Sequence, residues 1–332
     1  MQTIINVCFA IFITVYIIQN DKLNEQVDLL NKEVEAANVG LIKTLYSDYN
    51  TAFIKNDFPR IASHFEAPVN FANNEINTMK ITLLGTGTSQ GVPVIACKCN
   101  ICTSCNPKDK RLRSSVMIEV DNTTIVIDTG PDFRQQMLRE NVDDIDAILY
   151  THHHKDHVAG MDDIRAFNHK WKKDIQVYCT NITSNALRNE FPYIFDAHNY
   201  PGVPKVNINL FENKIFKINN IEIIPIKALH YKMRVFGFRI NKFVYLTDIS
   251  DISQFEKEKI KGADILILDS LQRKQHISHF NLEQSINLIE DIKPKIALLT
   301  HISHHMGLHN EVNKELPSNI QLSFDGQTLN IN

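Results

Sequence analysis

The chain lacks a strong excess of either charge. Its 332 residues carry 35 Lys and Arg against 38 Asp and Glu, a formal net charge of −3. No global basic field would draw the protein to nucleic acid, so nucleic-acid binding is not indicated by charge. With 43% hydrophobic and 22% charged residues, the composition is that of a globular protein with one large domain and an appendage.

The sequence also lacks an apolar run of the roughly 20 residues that a membrane-spanning helix usually needs. Residues 4–18 come nearest, but no basic stretch precedes them and no small-residue cleavage site follows. A membrane tether and a helix buried against another element or a partner both stay open. Between Leu23 and Leu45, apolar residues recur three or four apart, which predicts an amphipathic helix.

The sequence pattern changes at Met79, which predicts that the chain has two parts. Residues 1–78 form an N-terminal helical extension of unknown role, and residues 79–332 form the domain that carries the chemistry. Strand-like apolar runs alternate with helical segments in the second part, which favours sheets with helices packed outside them. Helices are predicted over residues 131–140, 161–169, 182–190 and 281–291.

The cysteines do not form a disulfide framework, because four of the six fall between Cys97 and Cys105. Such clustering is typical of a metal site in a reducing compartment, so we expect a cytoplasmic protein. Cys97, Cys99 and Cys102 supply three thiolates, and a closed tetrahedral zinc site needs a fourth ligand. Cys105 is one candidate for that ligand.

A histidine-rich motif follows the apolar segment Ile145–Tyr150. Residues two apart on an extended segment point the same way, so His152 and His154 can share one cation. Asp156 and His157, on the turn that follows, can reach a second cation. The spacing predicts a dinuclear hydrolytic centre, with a solvated surface loop as the alternative.

Three further candidate ligands stand directly after strand-like runs: His230, Asp248 and His301. Their shared position predicts that they converge at one edge of the core. Together with the first motif they form the ordered set Thr-His-x-His-x-Asp-His at 151–157, His230, Tyr-Leu-Thr-Asp at 245–248 and Thr-His at 300–301. This set resembles the metallo-β-lactamase superfamily.

Two more segments are similar to the cyclic phosphodiesterase branch of that superfamily, which includes the phosphoribosyl cyclic phosphate phosphodiesterase of phosphonate breakdown. They are Gly-Thr-Gly-Thr-Ser-Gln-Gly-Val-Pro at 85–93 and Cys-Lys-Cys-Asn-Ile-Cys at 97–102. The resemblance covers residues 79 to about 330 and implies an α/β fold, the αββα sandwich.

The resemblance also implies a ligand set. One metal ion is expected on His152, His154 and His230, a second on Asp156, His157 and His301, with Asp248 bridging, and manganese or zinc as the metal. A hydroxide shared by the two ions is the expected nucleophile. A structural zinc is expected on Cys97, Cys99, Cys102 and His304, while a site of four cysteines that includes Cys105 stays open.

Asp156 and His279 are the predicted catalytic residues. Cleavage of a phosphodiester needs a proton for the leaving alkoxide, and the resemblance favours His279 over His276 as its source. The alternative is that His279 caps the following helix. Asp128, which ends a strand, is predicted to orient a ligand histidine, and the basic segment Lys110–Arg113 either holds a substrate phosphate or is a solvated turn.

The expected function is therefore that of a metal-dependent phosphodiesterase. Its substrate would be a small, cyclic or otherwise compact phosphodiester rather than nucleic acid. A tRNA 3′-end endonuclease and a non-catalytic metal-binding carrier on the same fold are the alternatives. A homodimer is left open.

Overall fold

The computed structural model describes residues 78–196 and 202–331. The predicted tether at residues 4–18 and the amphipathic helix after it lie outside these residues, so the proposed boundary before Met79 stays a prediction. Within the described ranges, no helix is both long and apolar enough to cross a membrane.

The described chain contains fourteen strands and eight α-helices. The strands are β1 (Met79–Gly85), β2 (Ser115–Val120), β3 (Thr123–Ile127), β4 (Ala147–Leu149), β5 (Ile175–Cys179), β6 (Val206–Leu210), β7 (Phe216–Ile218), β8 (Ile221–His230), β9 (Met233–Ile240), β10 (Phe243–Leu246), β11 (Ile265–Asp269), β12 (Ile296–Thr300), β13 (Ile320–Leu322) and β14 (Thr328–Ile331). The helices are α1 (Phe133–Arg139), α2 (Lys155–Val158), α3 (Arg165–Trp171), α4 (Asn181–Glu190), α5 (Pro192–Phe195), α6 (Gln254–Ile260), α7 (Leu282–Ile292) and α8 (His309–Glu315).

The strands form two seven-stranded mixed sheets. The first has the order β14-β1-β2-β3-β4-β5-β6, and the second has the order β13-β12-β11-β10-β9-β8-β7. In each sheet, antiparallel strands adjoin a parallel half, β3 to β6 in the first and β10 to β13 in the second. The parallel strands β11 and β12 are nearly continuous apolar runs because both of their faces are buried.

Alternation along these strands produces four layers. Ile265 and Ile267 of β11 join a core cluster to which both sheets contribute. Leu266 and Leu268 point to the opposite face, where they pack in a second cluster with apolar side chains of α6, α7 and α8. The first sheet has an equivalent outer cluster under α1 to α5. The predicted αββα sandwich is confirmed.

Several predicted site residues lie where strands end and the chain turns sharply. Asp128, Asp248 and His301 follow β3, β10 and β12, and their backbones are left-handed, with φ of 64°, 56° and 58°. Asp and His are among the residues that adopt this conformation more often than most non-glycine residues. The turns bring side chains from both sheets to one edge of the sandwich.

The segment after β3 supports the histidine motif by close backbone contact. The Thr129 N–H donates to the His157 carbonyl, and the Gly160 N–H donates to the Thr129 carbonyl, each at 2.8 Å. A Cβ on Gly130 would lie 2.2 Å from the carbonyl oxygen of Asp156. Only glycine permits this approach, which fixes the segment that carries Asp156 and His157.

Gly130→Ala is expected to lower the free energy of unfolding by about 3 kcal/mol, because a methyl group would push the Asp156 segment away. Metal binding at the neighbouring site should weaken with it. The control is Gly262→Ala, whose φ of +75° is strained but whose Cβ would have no neighbour nearer than 3.9 Å; it should cost about 1–2 kcal/mol. Urea denaturation and metal analysis measure both effects, and equal metal loss in the two variants would contradict this account.

Candidate metal centre and catalytic site

Two groups of potential ligands share one carboxylate. The ligand atoms of Asp156, His157, Asp248 and His301 lie within 4.8 Å of one another, and those of His152, His154 and Asp248 do the same. Asp248 therefore lies between the two predicted half-sites. All seven predicted dinuclear ligands come together at this edge of the sandwich, although they are far apart in sequence.

Asp248 contacts imidazoles with both of its oxygens. Its Oδ1 lies 3.0 Å from His301 Nδ1 and 3.3 Å from His157 Nε2. Its Oδ2 lies 3.8 Å from His152 Nε2. This division of the two oxygens between two sets of histidines is the arrangement that a bridging carboxylate requires.

His230 lies beside the first half-site. Its ring centroid is 5.1 Å from that of His154 and 5.7 Å from that of His152. Its ligand atom also groups with those of Asp248 and His279 within 4.8 Å. His230 thus lies between the predicted metal ligands and the predicted proton donor.

Hydrogen bonds orient the buried histidines from behind. His157 Nδ1 donates to Asp128 Oδ2 at 2.7 Å, as predicted, and Asp128 also accepts from the backbone and the hydroxyl of Thr151. His230 Nδ1 donates to the Ser278 carbonyl at 2.7 Å. Each bond uses one ring nitrogen and directs the other, Nε2, towards the site.

Burial and neighbouring charges set the pKa values in this cluster. Burial lowers the pKa of His152, His154 and His230, which favours the neutral form that binds a cation. Burial opposes ionisation of Asp248 as well, yet His301 and His157 outweigh it and hold its pKa well below the usual range. Burial therefore favours the neutral form of these three imidazoles beside an ionised carboxylate. Burial also opposes protonation of His157, but Asp156, Asp248 and Asp128 outweigh it and raise the pKa of that ring well above its usual value.

The donor atoms fit divalent cations. The Nε2 atoms of His152 and His157 are buried and have no hydrogen-bond partner among the described residues. His157 Nε2 is 3.1 Å from Asp156 Oδ2, but the two atoms do not form a hydrogen bond of good geometry. Buried nitrogens without partners are costly, and a bound cation between them and the carboxylates would satisfy both.

His279 faces the same cluster from the second sheet. Its ring stacks on His301 at a centroid distance of 4.8 Å, and its Nδ1 lies 3.2 Å from Asp269 Oδ2. Although burial lowers the pKa of His279, Asp269 outweighs it and raises the value to about 9. His279 does not cap the following helix, because Asn281 accepts from Gln284 N and forms the capping box.

Asp269 is a site residue that the sequence did not reveal as one. It ends β11, just as the predicted ligands follow other strands, and it is fully buried. The same carboxylate oxygen accepts from the backbone of Ile249 and Phe280. Its place at the end of an apolar strand is the signal that could have identified it.

The predicted zinc ligands form a second cluster. His304 Nδ1 lies 3.3, 3.6 and 3.4 Å from the sulfurs of Cys97, Cys99 and Cys102. The Cys102 N–H donates to the Cys99 sulfur, which lowers the pKa of that thiol to about 6. Three sulfurs around one imidazole nitrogen fit a tetrahedral zinc, and the exposed Cys105 is not part of the group.

The basic segment Lys110–Arg113 does not provide a free phosphate clamp. Arg111 is buried and donates to the Thr86 hydroxyl and the Ser323 carbonyl. Arg113 binds Asp132 and the Ser89 carbonyl. Of the two roles predicted for the segment, phosphate binding and a solvated turn, neither holds for Arg111, because its guanidinium ties together loops that are distant in sequence.

The fold and the site define a metal-dependent hydrolase. The chain belongs to the β-lactamase superfamily, since the model described as "Beta-lactamase superfamily domain" matches residues 123–302. That superfamily implies divalent metal binding. The predicted family and enzyme class are therefore confirmed.

Three individual proteins are similar to this chain. A structure described as a new diphosphatase from the PhnP family is 38% identical, with a TM-score of 0.72 over 76% of this chain and 97% of that one. An octanoyltransferase of Porphyromonas gingivalis is 37% identical over 251 residues, which are 75% of this chain. The match spans about half (51%) of the length of that relative. Zn²⁺-bound PqqB from Methylobacterium extorquens is 19% identical, with a TM-score of 0.63 over 75% of this chain and 99% of that one, a likeness of fold alone.

Asp128→Asn is expected to weaken metal binding about 10- to 100-fold, because the amide cannot hold the His157 Nδ1–H as a carboxylate does. Titration with Mn²⁺ or Zn²⁺ under calorimetry measures the change. The control is Asp146→Asn, which removes a partly exposed carboxylate that pairs with Lys173 away from the site. Equal affinities in wild type and Asp128→Asn would overturn this role for Asp128.

Cys99→Ser is expected to remove one zinc per chain and to lower stability, while the dinuclear ligands keep their ions. A serine hydroxyl is a poor substitute for a thiolate ligand at neutral pH. Metal analysis by mass spectrometry counts the ions, with Cys105→Ser as the matched control outside the cluster. Zinc retained in Cys99→Ser would argue against the assignment.

Proposed function

We propose that the protein is a phosphodiesterase that uses two divalent cations, manganese or zinc, to hydrolyse a small phosphodiester. The observation that carries this proposal is the buried carboxylate of Asp248, which two groups of ligands share. Two cations held in such a site polarise phosphoryl oxygens and lower the pKa of bound water.

The side chains divide into holding and orienting roles. His152, His154 and His230 would hold one cation, and Asp156, His157 and His301 the other, with Asp248 between them. Asp128 and the Ser278 carbonyl keep two of these imidazoles turned towards the centre. Because these groups are already bonded and buried, little reorganisation is needed when the substrate binds.

His279 would deliver the proton to the leaving oxygen. Asp269 holds its Nδ1, so the Nε2 atom is the one left to face the substrate. The same carboxylate favours the protonated ring, which is the form that donates. Asp269 is thus a positioning residue, and it acts through His279 rather than on the substrate.

The presence of the His279–Asp269 pair favours a substrate with a poor leaving group. An alkoxide leaves slowly unless it is protonated, whereas a phosphate or an activated phenolate leaves as a stable anion. General acid catalysis therefore contributes most to cleavage of an alkyl or cyclic phosphodiester. The buried His279–Asp269 pair supports such a substrate.

A diphosphatase is the second candidate, because the 38% identical structure is described as one. Cleavage of a diphosphate releases a phosphate leaving group, for which His279 would matter little. The same metal centre could serve either reaction. The dependence of activity on His279 separates them.

His279→Ala is expected to lower kcat about 10³-fold for an alkyl or ribose cyclic phosphate, and less than tenfold for bis-p-nitrophenyl phosphate. Asp269→Asn should show the same pattern with a smaller loss. Rates are measured on protein loaded with Mn²⁺ or Zn²⁺, with a nucleoside diphosphate sugar and a precursor tRNA as the rival substrates. Selective cleavage of either rival would replace the proposed substrate class.

Two controls frame that experiment. His276→Ala removes an exposed imidazole whose centroid is 5.3 Å from that of His279, and it should keep most of the activity. Asp248→Ala should abolish cleavage of every substrate and reduce the metal content. Unchanged hydrolysis of bis-p-nitrophenyl phosphate in Asp248→Ala would refute the mechanism.

A further inference from the structure

Two large apolar side chains are exposed beside the buried metal centre. Tyr231 is 49% exposed and directly follows His230, which is only 9% exposed. Ile277 is 69% exposed and stands two residues before His279. Single exposed apolar residues need no explanation, but these two flank the same group of ligands.

A hydrogen bond joins the segments that carry them. His230 Nδ1 donates to the Ser278 carbonyl at 2.7 Å, and Tyr231 and Ile277 are the next residues along the chain from the two partners. The rings of His230 and His279 are 4.6 Å apart. The turn with Tyr231 and the loop with Ile277 therefore meet at the rim of the site.

Tyr231 occupies a strained position. His230 pairs with Met233, so Tyr231 and Lys232 form a two-residue hairpin turn. The φ of Tyr231 is 56°, and Lys232 is not among the residues with positive φ. In such a turn glycine is favoured at the first position, and a bulky side chain there is an outlier.

The turn is held in place from below. The Tyr231 N–H donates to Ser250 Oγ at 2.8 Å, and that hydroxyl donates to the Leu229 carbonyl at 3.0 Å. The ring is half-exposed, so burial in the core does not account for an aromatic residue at this position. Strained residues held in this way cluster at ligand sites.

We propose that Tyr231 stacks against an aromatic ring of the substrate, a nucleobase on the part that stays with the phosphate. Ile277 packs against the same ring from the other segment. Lys232 Nζ lies 5.2 Å from the Tyr231 ring centroid, so the same turn also carries a positive charge. This inference rests on the proposed phosphodiesterase function and narrows its substrates to nucleotide phosphodiesters.

The test compares thymidine 5′-(p-nitrophenyl phosphate) with methyl p-nitrophenyl phosphate, which have the same leaving group. Wild-type protein should prefer the thymidine ester about tenfold in kcat/KM, mainly through KM. Tyr231→Ala should lose that preference and Tyr231→Phe should keep it. Phe255→Ala, which removes an aromatic residue that is 72% exposed and far along the chain, is the matched control and should also keep it.

A variant that is more stable than wild type distinguishes a loss of substrate recognition from a loss of folding. Tyr231→Gly should raise the unfolding midpoint, since glycine relieves the positive φ, and yet it should lose the preference for the thymidine ester. Wild-type protein with no preference, or a preference retained in Tyr231→Ala, would overturn the inference while the phosphodiesterase stands.

Binding decides the case in which neither ester is cleaved. Thymidine 5′-phosphate and methyl phosphate are then titrated calorimetrically into the metal-loaded protein and its Tyr231→Ala variant. Tighter binding of the thymidine compound that depends on Tyr231 would preserve the recognition site and reject the phosphodiesterase. Equal binding would reject both.

Discussion

The carboxylate of Asp248 is the constraint on which the site depends. It is buried just beyond β10, in contact with imidazoles that come from α2 and from the end of β12. A buried charge is tolerated only when it is paired, and here its partners come from both sheets. The edge at which the two sheets meet is therefore also the edge at which charge must be balanced, and bound cations between these groups would complete that balance.

In each sheet, a further buried carboxylate at a strand end holds one of the histidines of the site. Asp128, at the end of β3, holds His157, and Asp269, at the end of β11, holds His279. One histidine is a predicted metal ligand and the other the proposed proton donor, so similar geometry would serve two purposes. The difference comes from the chain between each pair: His157 lies on α2, beyond the next strand β4, whereas His279 lies on a loop ten residues beyond Asp269.

The local sequence pattern predicts those site residues that follow clear strand-like runs. His230, Asp248 and His301 each come after an apolar run, and the position after such a run fixed where they would converge. Arg111 was misread because its burial arises from partners such as Ser323, 212 residues away, which no local pattern reveals. The helix predicted over residues 161–169 is in fact a 3₁₀ turn, Met161–Ile164, followed by α3. Asp269 carries no local signal beyond its place at the end of β11, since its partner His279 is separated from it by an irregular loop.

The segment from His301 to His304 links the two clusters of ligands. Ile302 exchanges backbone hydrogen bonds with Thr86 and Thr88 of the loop after β1, and the Ser303 N–H donates to the Leu271 carbonyl after β11. His301 on one side faces Asp248, while His304 on the other faces the three cysteines. A segment fixed at four successive residues has little freedom to shift. Ile302 and Ser303, which are both held by backbone hydrogen bonds, connect His304 to His301. The cysteine cluster can therefore stabilise the position of His301 without contacting the catalytic site.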